Sequence, residues 1–179
     1  MPHIAITSEL PGIRGLMTDR PDTAAPLNAL TETLLRGPSP LSRGERELIA
    51  SYVSELNATR FCADTHGAAA AAQLDGGADL VKAVHSDPDA AALTPLLRSL
   101  LRIAAEVQAQ AAPVSVEAVA AARAEGATDT HIHDTVLIAA AFCMFNRYVS
   151  ALGTSLPTEP GYYDEAGRRI TTHGYTAVI

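Results

Sequence analysis

The fold is decided by residues 46–70, RELIASYVSELNATRFCADTHGAAA. The first half of this stretch carries apolar residues at the spacing of one helix face: Leu48, Ile49, Tyr52, Val53 and Leu56. Ser42 and Glu45, just upstream, have the spacing of a capping box, which predicts that a helix begins there. Residues 57–59, Asn-Ala-Thr, interrupt the pattern. A second helix is therefore expected to begin at Thr59 or a neighbour and to run towards the Gly-Gly pair at 76–77.

Two residues of this second helix form a candidate reactive pair. Cys62 and His66 stand four apart, so a helix places both side chains on one face. Cys62 falls in the first turn, where free backbone N–H groups and the helix dipole favour an anion, and we therefore expect a lowered thiol pKa. Glu47 lies on the preceding helix, and a short turn at Asn57 would bring its carboxylate towards His66. The three residues suit a nucleophile, its base and the group that orients the base.

The motif formed by Glu47, Cys62 and His66, written E(x14)CxxxH, resembles the core motif of alkylhydroperoxidase D-like and carboxymuconolactone decarboxylase-like proteins. A later stretch, DTVLIAAAFCMFNRYVSALG at residues 134–153, is similar to the closing helix of their peroxidase-related branch. The resemblance implies an all-α fold, an alkylhydroperoxidase D-like helical bundle with N- and C-terminal extensions. We predict an N-terminal arm over residues 1–22, the helical domain over 23–153 and a C-terminal extension over 154–179.

The resemblance also implies a role for each residue of the motif. Cys62 corresponds to the cysteine that attacks the peroxide, His66 to the proton-relay histidine and Glu47 to the relay carboxylate. The family motif usually reads CxxC, and its earlier cysteine resolves the sulfenic acid as a disulfide, but here that position is Thr59. Turnover would then need an outside thiol or Cys143. Cys143 lies mid-helix among apolar residues, which favours core packing over a resolving role.

Helical patterns continue through the rest of the chain. We predict a first helix from Thr23 to the Gly-Pro pair at 37–38, a short helix around residues 79–85, and three more helices introduced by Thr94, Ser115 and Thr128. On the last of them, Asn146 is interpreted as a buried hydrogen-bonding residue. The N-terminal arm is assigned no chemistry, and the Pro-, Gly- and Tyr-rich C-terminal stretch is expected to be an ordered surface extension.

Composition argues against several classes of function. The net charge is −7 and Lys and Arg form no basic stripe, which excludes nucleic acid as an expected partner. No apolar run approaches the roughly 20 residues that span a bilayer and no leader pattern is visible, so we expect a cytoplasmic protein without membrane contact. The histidines and cysteines show no metal-ligand spacing, so no metal and no cofactor are predicted. The resembled families assemble through helical faces, which implies a homo-oligomer.

Three functions stay open at this point. The first is a thiol-dependent, alkyl hydroperoxidase-like antioxidant enzyme: Cys62 attacks a small-molecule hydroperoxide, Glu47 and His66 manage the protons, and an external thiol reductant restores the cysteine. The second is a carboxymuconolactone decarboxylase-like lyase, in which His66 is the acid or base and Cys62 only lines the site. The third is a non-catalytic helical oligomer that retains the scaffold.

Overall fold

The computed structural model describes residues 2–176, which form helices joined by turns, with no strand in that range. In chain order the helices are α1 (Ile13–Asp19), α2 (Pro21–Arg36), α3 (Arg43–Leu56), α4 (Arg60–Ala71), α5 (Gly77–Ser86), α6 (Pro95–Ala109), α7 (Val116–Ala124), α8 (Asp129–Ala151) and α9 (Tyr162–His173). The predicted all-α class is therefore confirmed. None of the helices within the described range is both long and apolar enough to cross a bilayer.

The helices begin where the sequence places capping residues. Ser42 Oγ accepts a hydrogen bond from the Glu45 N–H at 3.2 Å, and Glu45 Oε2 accepts one from the Ser42 N–H at 2.8 Å. This capping box satisfies two backbone donors that the first turn of α3 would otherwise leave unpaired. The side chains of Thr94, Ser115 and Thr128 accept from backbone N–H groups in the same way at the starts of α6, α7 and α8.

The main core lies where α3, α6 and α8 pack on one another. Its largest buried side chains are apolar and come from all three helices: Leu48, Ile49, Leu100, Leu101, Ile138 and Phe142. Each such side chain stabilises the fold by roughly 1.5–3 kcal/mol through removal from water. Helix α4 packs between α3 on one side and α9 on the other. This arrangement places the predicted reactive pair of α4 at the edge of the core.

A three-residue turn reverses the chain between α3 and α4. Ala58 adopts a left-handed backbone with φ 51°, and the Thr59 N–H donates to the Ser54 carbonyl at 2.9 Å. Thr59 occupies the N-cap position of α4, as predicted, but its side chain does not cap the helix. Instead its Oγ1 lies 3.0 Å from Ser150 Oγ on α8. The tight reversal lays α4 back against α3, which brings Glu47 opposite the second turn of α4.

Both terminal segments contain a helix that the sequence patterns did not predict. Helix α1 lies within the N-terminal arm, which is tied to the chain after α8 by hydrogen bonds from the His3 and Gly12 N–H groups to the carbonyls of Leu152 and Ser155. Helix α9 lies within the C-terminal stretch and packs closely on α4. A Cβ added at Gly167 would lie 2.7 Å from the carbonyl carbon of Ala68, so only glycine fits at this crossing. The domain boundaries stay a prediction.

Candidate active site

The predicted contact between Glu47 and His66 is present. Glu47 Oε2 lies 2.7 Å from His66 Nδ1, and the two residues are only 1% and 9% exposed. Because a carboxylate only accepts hydrogen bonds, Nδ1 carries a hydrogen atom and its N–H donates a hydrogen bond to Glu47. In this tautomer Nε2 has a free lone pair that can accept a proton. The pair therefore has the geometry of a base held by its orienting carboxylate.

A third residue, Tyr175, completes this group, although no sequence pattern indicated it. Its hydroxyl donates to Glu47 Oε1 at 2.6 Å and lies 3.2 Å from His66 Nδ1. Its ring stacks on the His66 ring, with centroids 6.0 Å apart and planes inclined by 22°. Burial and the nearby Glu47 charge raise the pKa of Tyr175 well above its usual value, so the hydroxyl is protonated and acts as a donor.

Tyr175 is held in place by polar residues of α2. Its backbone N–H donates to Glu32 Oε2 at 2.7 Å. Arg36 Nη1 donates to the carbonyls of Ile170 and Thr171 at 2.9 and 3.1 Å, and its Nε lies 3.1 Å from Glu32. These bonds secure the chain immediately before and at Tyr175. No local spacing in the sequence signals this contact, because it joins segments more than a hundred residues apart.

Cys62 occupies the first turn of α4, as predicted, but its thiol is not activated there. The residue is 4% exposed and packs with Phe61 and Val149. Burial raises the pKa of the Cys62 thiol from 9.0 to about 11, and a hydrogen bond from Asn146 only partly opposes this. The expected lowering of this pKa is therefore wrong. The change corresponds to roughly 3 kcal/mol, whereas a helix dipole contributes typically 0.3–1 kcal/mol, so desolvation dominates.

The neighbouring residues of α8 have structural roles. Asn146 is 1% exposed, donates through Nδ2 to Ser54 Oγ at 3.0 Å and accepts from Asn57 Nδ2 at 2.9 Å. The interpretation of Asn146 as a buried hydrogen-bonding residue is thus confirmed. Cys143 is half-buried, packs against the main core and does not line the cavity that contains Cys62. Both cysteines are free thiols.

A cavity of about 130 Å³ opens beside the reactive pair, and both Cys62 and His66 line it. Its walls come from five parts of the chain, namely the N-terminal arm with α1, then α2, α4, α8 and the segment from α9 to Tyr175. A Cβ at Gly12 would collide with the Phe61 ring, which shows how closely the N-terminal arm covers this region. The arm and the C-terminal stretch therefore both build the site. The volume is close to the ~150 Å³ of a cavity that holds a benzene-sized molecule.

The fold and the site define an all-helical protein with a buried His–Glu pair beside a cavity-lining cysteine. The sequence profile of the carboxymuconolactone decarboxylase family matches residues 21–106. Residues 21–106 thus match that family in sequence, and the helical bundle around them has the alkylhydroperoxidase D-like fold, which confirms the resemblance.

Two solved structures support the same assignment. One is a peroxidase-related protein from Silicibacter sp. TM1040, with 28% identity, a TM-score of 0.76, and 86% of this chain and 78% of that chain covered. The other is an alkylhydroperoxidase AhpD core, a peroxidase-related protein from Ralstonia eutropha JMP134, with 26% identity, a TM-score of 0.77, and 89% and 82% covered. No curated protein matches the chain.

Proposed function

We propose that this chain is a thiol-dependent hydroperoxide reductase in which Cys62 is the reacting residue. The observation that carries the proposal is the 2.7 Å contact of His66 Nδ1 with Glu47, made beside a cavity that Cys62 also lines. A buried histidine oriented by a carboxylate supplies a proton acceptor, and the cavity supplies room for a small oxidant. The peroxidase-related names of the two similar structures support the same chemistry.

The first step oxidises the cysteine. The Cys62 sulfur attacks the distal oxygen of ROOH, the O–O bond breaks, and the products are Cys62 sulfenic acid and the alcohol ROH. The thiol proton passes through His66 to the departing alkoxide, so atoms and charge balance. Because the pKa of Cys62 is about 11, the thiol is neutral near pH 7, and the reaction depends on His66 Nε2 taking its proton. Glu47 stabilises the imidazolium that results.

The second step restores the thiol without a resolving cysteine in the chain. Thr59 stands where the family motif has that cysteine, and Cys143 lies outside the cavity. A low-molecular-weight thiol R′SH therefore condenses with the sulfenic acid to give a mixed disulfide and water. A second R′SH then releases the Cys62 thiol and R′SSR′. The external thiol is the reductant, and the hydroperoxide is the electron acceptor.

We further propose that the chain works as a homo-oligomer in the cytoplasm. Leu137 and Met144 on α8 are 40% and 45% exposed, and their seven-residue spacing puts them on one helix face. An exposed apolar helix face of this kind suits contact with a second copy. Light scattering during gel filtration is expected to give a mass above 18.7 kDa. A monomer mass at micromolar protein concentration would contradict the proposed homo-oligomer.

The function is tested by peroxide consumption with a monothiol reductant, together with trapping of sulfenic acid by dimedone and peptide mass spectrometry. The wild-type chain is expected to consume hydroperoxide and to carry the dimedone adduct on Cys62. Cys62→Ser is expected to lose both, while Cys143→Ser keeps both. A lyase that uses His66 alone would instead turn over a carboxylated lactone equally well in Cys62→Ser. If the wild-type chain shows neither activity, the non-catalytic oligomer is the function that remains.

A further inference from the structure

The cavity beside Cys62 contains buried polar atoms that have no partner. Within residues 2–176, four buried side-chain nitrogen or oxygen atoms lack a hydrogen-bond partner, and three of them belong to residues that line this cavity: Thr65 Oγ1, the Tyr162 hydroxyl and Arg169 Nε. Thr65 itself is 8% exposed. Native proteins leave few such atoms unsatisfied, and each costs about 1–3 kcal/mol. Their concentration in one cavity indicates a ligand that supplies the missing partners.

The charges around the cavity favour an anion. Arg14 and Arg169 line it, and no Asp or Glu does, although the chain as a whole carries a net charge of −7. Neither guanidinium forms an ion pair or a side-chain hydrogen bond within the described part of the chain. Five other arginines pair with a carboxylate there: Arg20, Arg36, Arg60, Arg102 and Arg123. An unpaired guanidinium in an apolar cavity is suited to a carboxylate of the ligand.

The residues with unpartnered atoms fall into two groups along the helices that line the cavity. Thr65 follows Cys62 by three residues on α4, and Tyr162 packs with the Cys62 cluster, so their hydroxyls belong to the reacting end. Arg169 lies seven residues after Tyr162 on α9, about two helical turns or ~10 Å along the axis. Between the ends the walls are largely apolar, with Phe145 and Ile13 among them. The cavity therefore matches a molecule with a polar group at each end of an apolar body.

We propose that the cavity binds a small organic acid, with its carboxylate at Arg169 and its apolar body against the phenylalanine side chains. The identification of this acid as the substrate rests on the proposed function. The end of the acid opposite its carboxylate would then carry the hydroperoxide group and lie next to Cys62, Thr65 and Tyr162. The volume of about 130 Å³ restricts the enclosed body to roughly the size of a benzene ring.

Binding is tested without any peroxide, so its outcome is independent of turnover. Benzoate and benzamide, which share size and shape but differ in charge, are titrated against the rate of Cys62 alkylation by iodoacetamide at pH 9, read by peptide mass spectrometry. Half-protection of the wild-type chain is expected at a benzoate concentration at least tenfold below that of benzamide. Equal half-protection concentrations, or no protection by benzoate, would overturn the inference.

The role of Arg169 is tested by Arg169→Gln, with Arg168→Gln as its matched control. Arg168 is the exposed neighbour on the same helix and does not line this cavity. The preference for benzoate is expected to disappear in Arg169→Gln and to persist in Arg168→Gln. A preference that survives Arg169→Gln would contradict the assignment of the carboxylate position. If benzoate binds as expected but hydroperoxides are not reduced, the proposed peroxidase function is wrong while the acid-binding cavity stands.

Discussion

The hydroxyl of Tyr175 donates a hydrogen bond of 2.6 Å to Oε1 of Glu47, a residue 128 positions earlier in the chain. Glu47 thus receives one hydrogen bond on each carboxylate oxygen, from Tyr175 and from His66. Hydrogen bonds to both oxygens fix the orientation of a buried carboxylate and replace those that it loses to water on burial. The position of the Glu47 carboxylate therefore depends on the C-terminal segment as well as on the E(x14)CxxxH motif.

Tyr175→Phe is expected to impair turnover without weakening substrate binding. The change removes the donor to Glu47 but keeps the ring that stacks on His66. A hydrogen bond to a charged group contributes roughly 1.5–3 kcal/mol, so we expect kcat to fall about tenfold with KM nearly unchanged, and the free energy of unfolding to fall by about 1–3 kcal/mol. Steady-state kinetics and urea unfolding measure the two effects.

Tyr148→Phe is the matched control for this change. Tyr148 is a half-buried tyrosine on α8 that does not line the cavity, and its hydroxyl has no hydrogen bond within the described residues. Its kinetics and stability are expected to equal those of the wild type. If Tyr175→Phe also retains full kcat, Tyr175 has no positioning role in the reaction.

The stability of the protein is expected to fall above pH 9 because of Cys62. Its pKa is raised from 9.0 to about 11 by burial, so the folded protein holds this proton more tightly than the unfolded chain does. The buried thiol therefore contributes its full stabilisation below pH 9. This contribution to the free energy of unfolding, up to about 3 kcal/mol, is lost as the pH rises towards 11. Urea unfolding of wild type and Cys62→Ser between pH 7 and 10.5 measures it. Parallel curves for the two proteins would show that the thiol is not buried as described.

Thr59→Cys is expected to form a disulfide with Cys62 after oxidation. Thr59 is 4% exposed and holds the N-cap position three residues before Cys62, where the backbone has left the helical conformation. After one equivalent of hydroperoxide, this variant is expected to lose the free thiols of residues 59 and 62 together. Thr65→Cys, three residues after Cys62 within the regular helix, is the control, because its Cβ lies ~5–6 Å away and disulfide geometry needs about 3.5–4.5 Å. Persistent sulfenic acid in Thr59→Cys would contradict this prediction.

Much of the fold could be predicted because its signals are local. The Ser42 capping box and the apolar face of α3 depend on residues three and four apart, and so does the placement of Cys62 and His66 on the side of α4 that lines the cavity. The contact with Glu47 followed from one short turn. These features were confirmed because the local preferences and the tertiary packing agree.

The rest of the site depends on contacts that no local pattern encodes. Helix α9 packs on α4, but only Ala166, Gly167 and Ile170 of its 12 residues are buried, and the rest of its sequence is mostly polar, so it was interpreted as a surface extension. Tyr175 reaches Glu47 only because that packing and the Arg36 bonds direct the chain there. The pKa of Cys62 was predicted in the wrong direction because the degree of burial, which dominates it, is a tertiary property. The Arg169 position in the cavity was missed for the same reason.

The central claim is most directly tested by the second-order rate constant for oxidation of Cys62 by hydroperoxide at pH 7, measured by dimedone trapping with Cys143 as the internal reference. The wild-type Cys62 is expected to react at least a hundredfold faster than Cys143, because a general base contributes about 10²–10⁴ in rate. Glu47→Gln and His66→Ala are each expected to remove most of this advantage. A Cys62 that reacts no faster than Cys143, or whose rate is unchanged in both variants, would contradict the account.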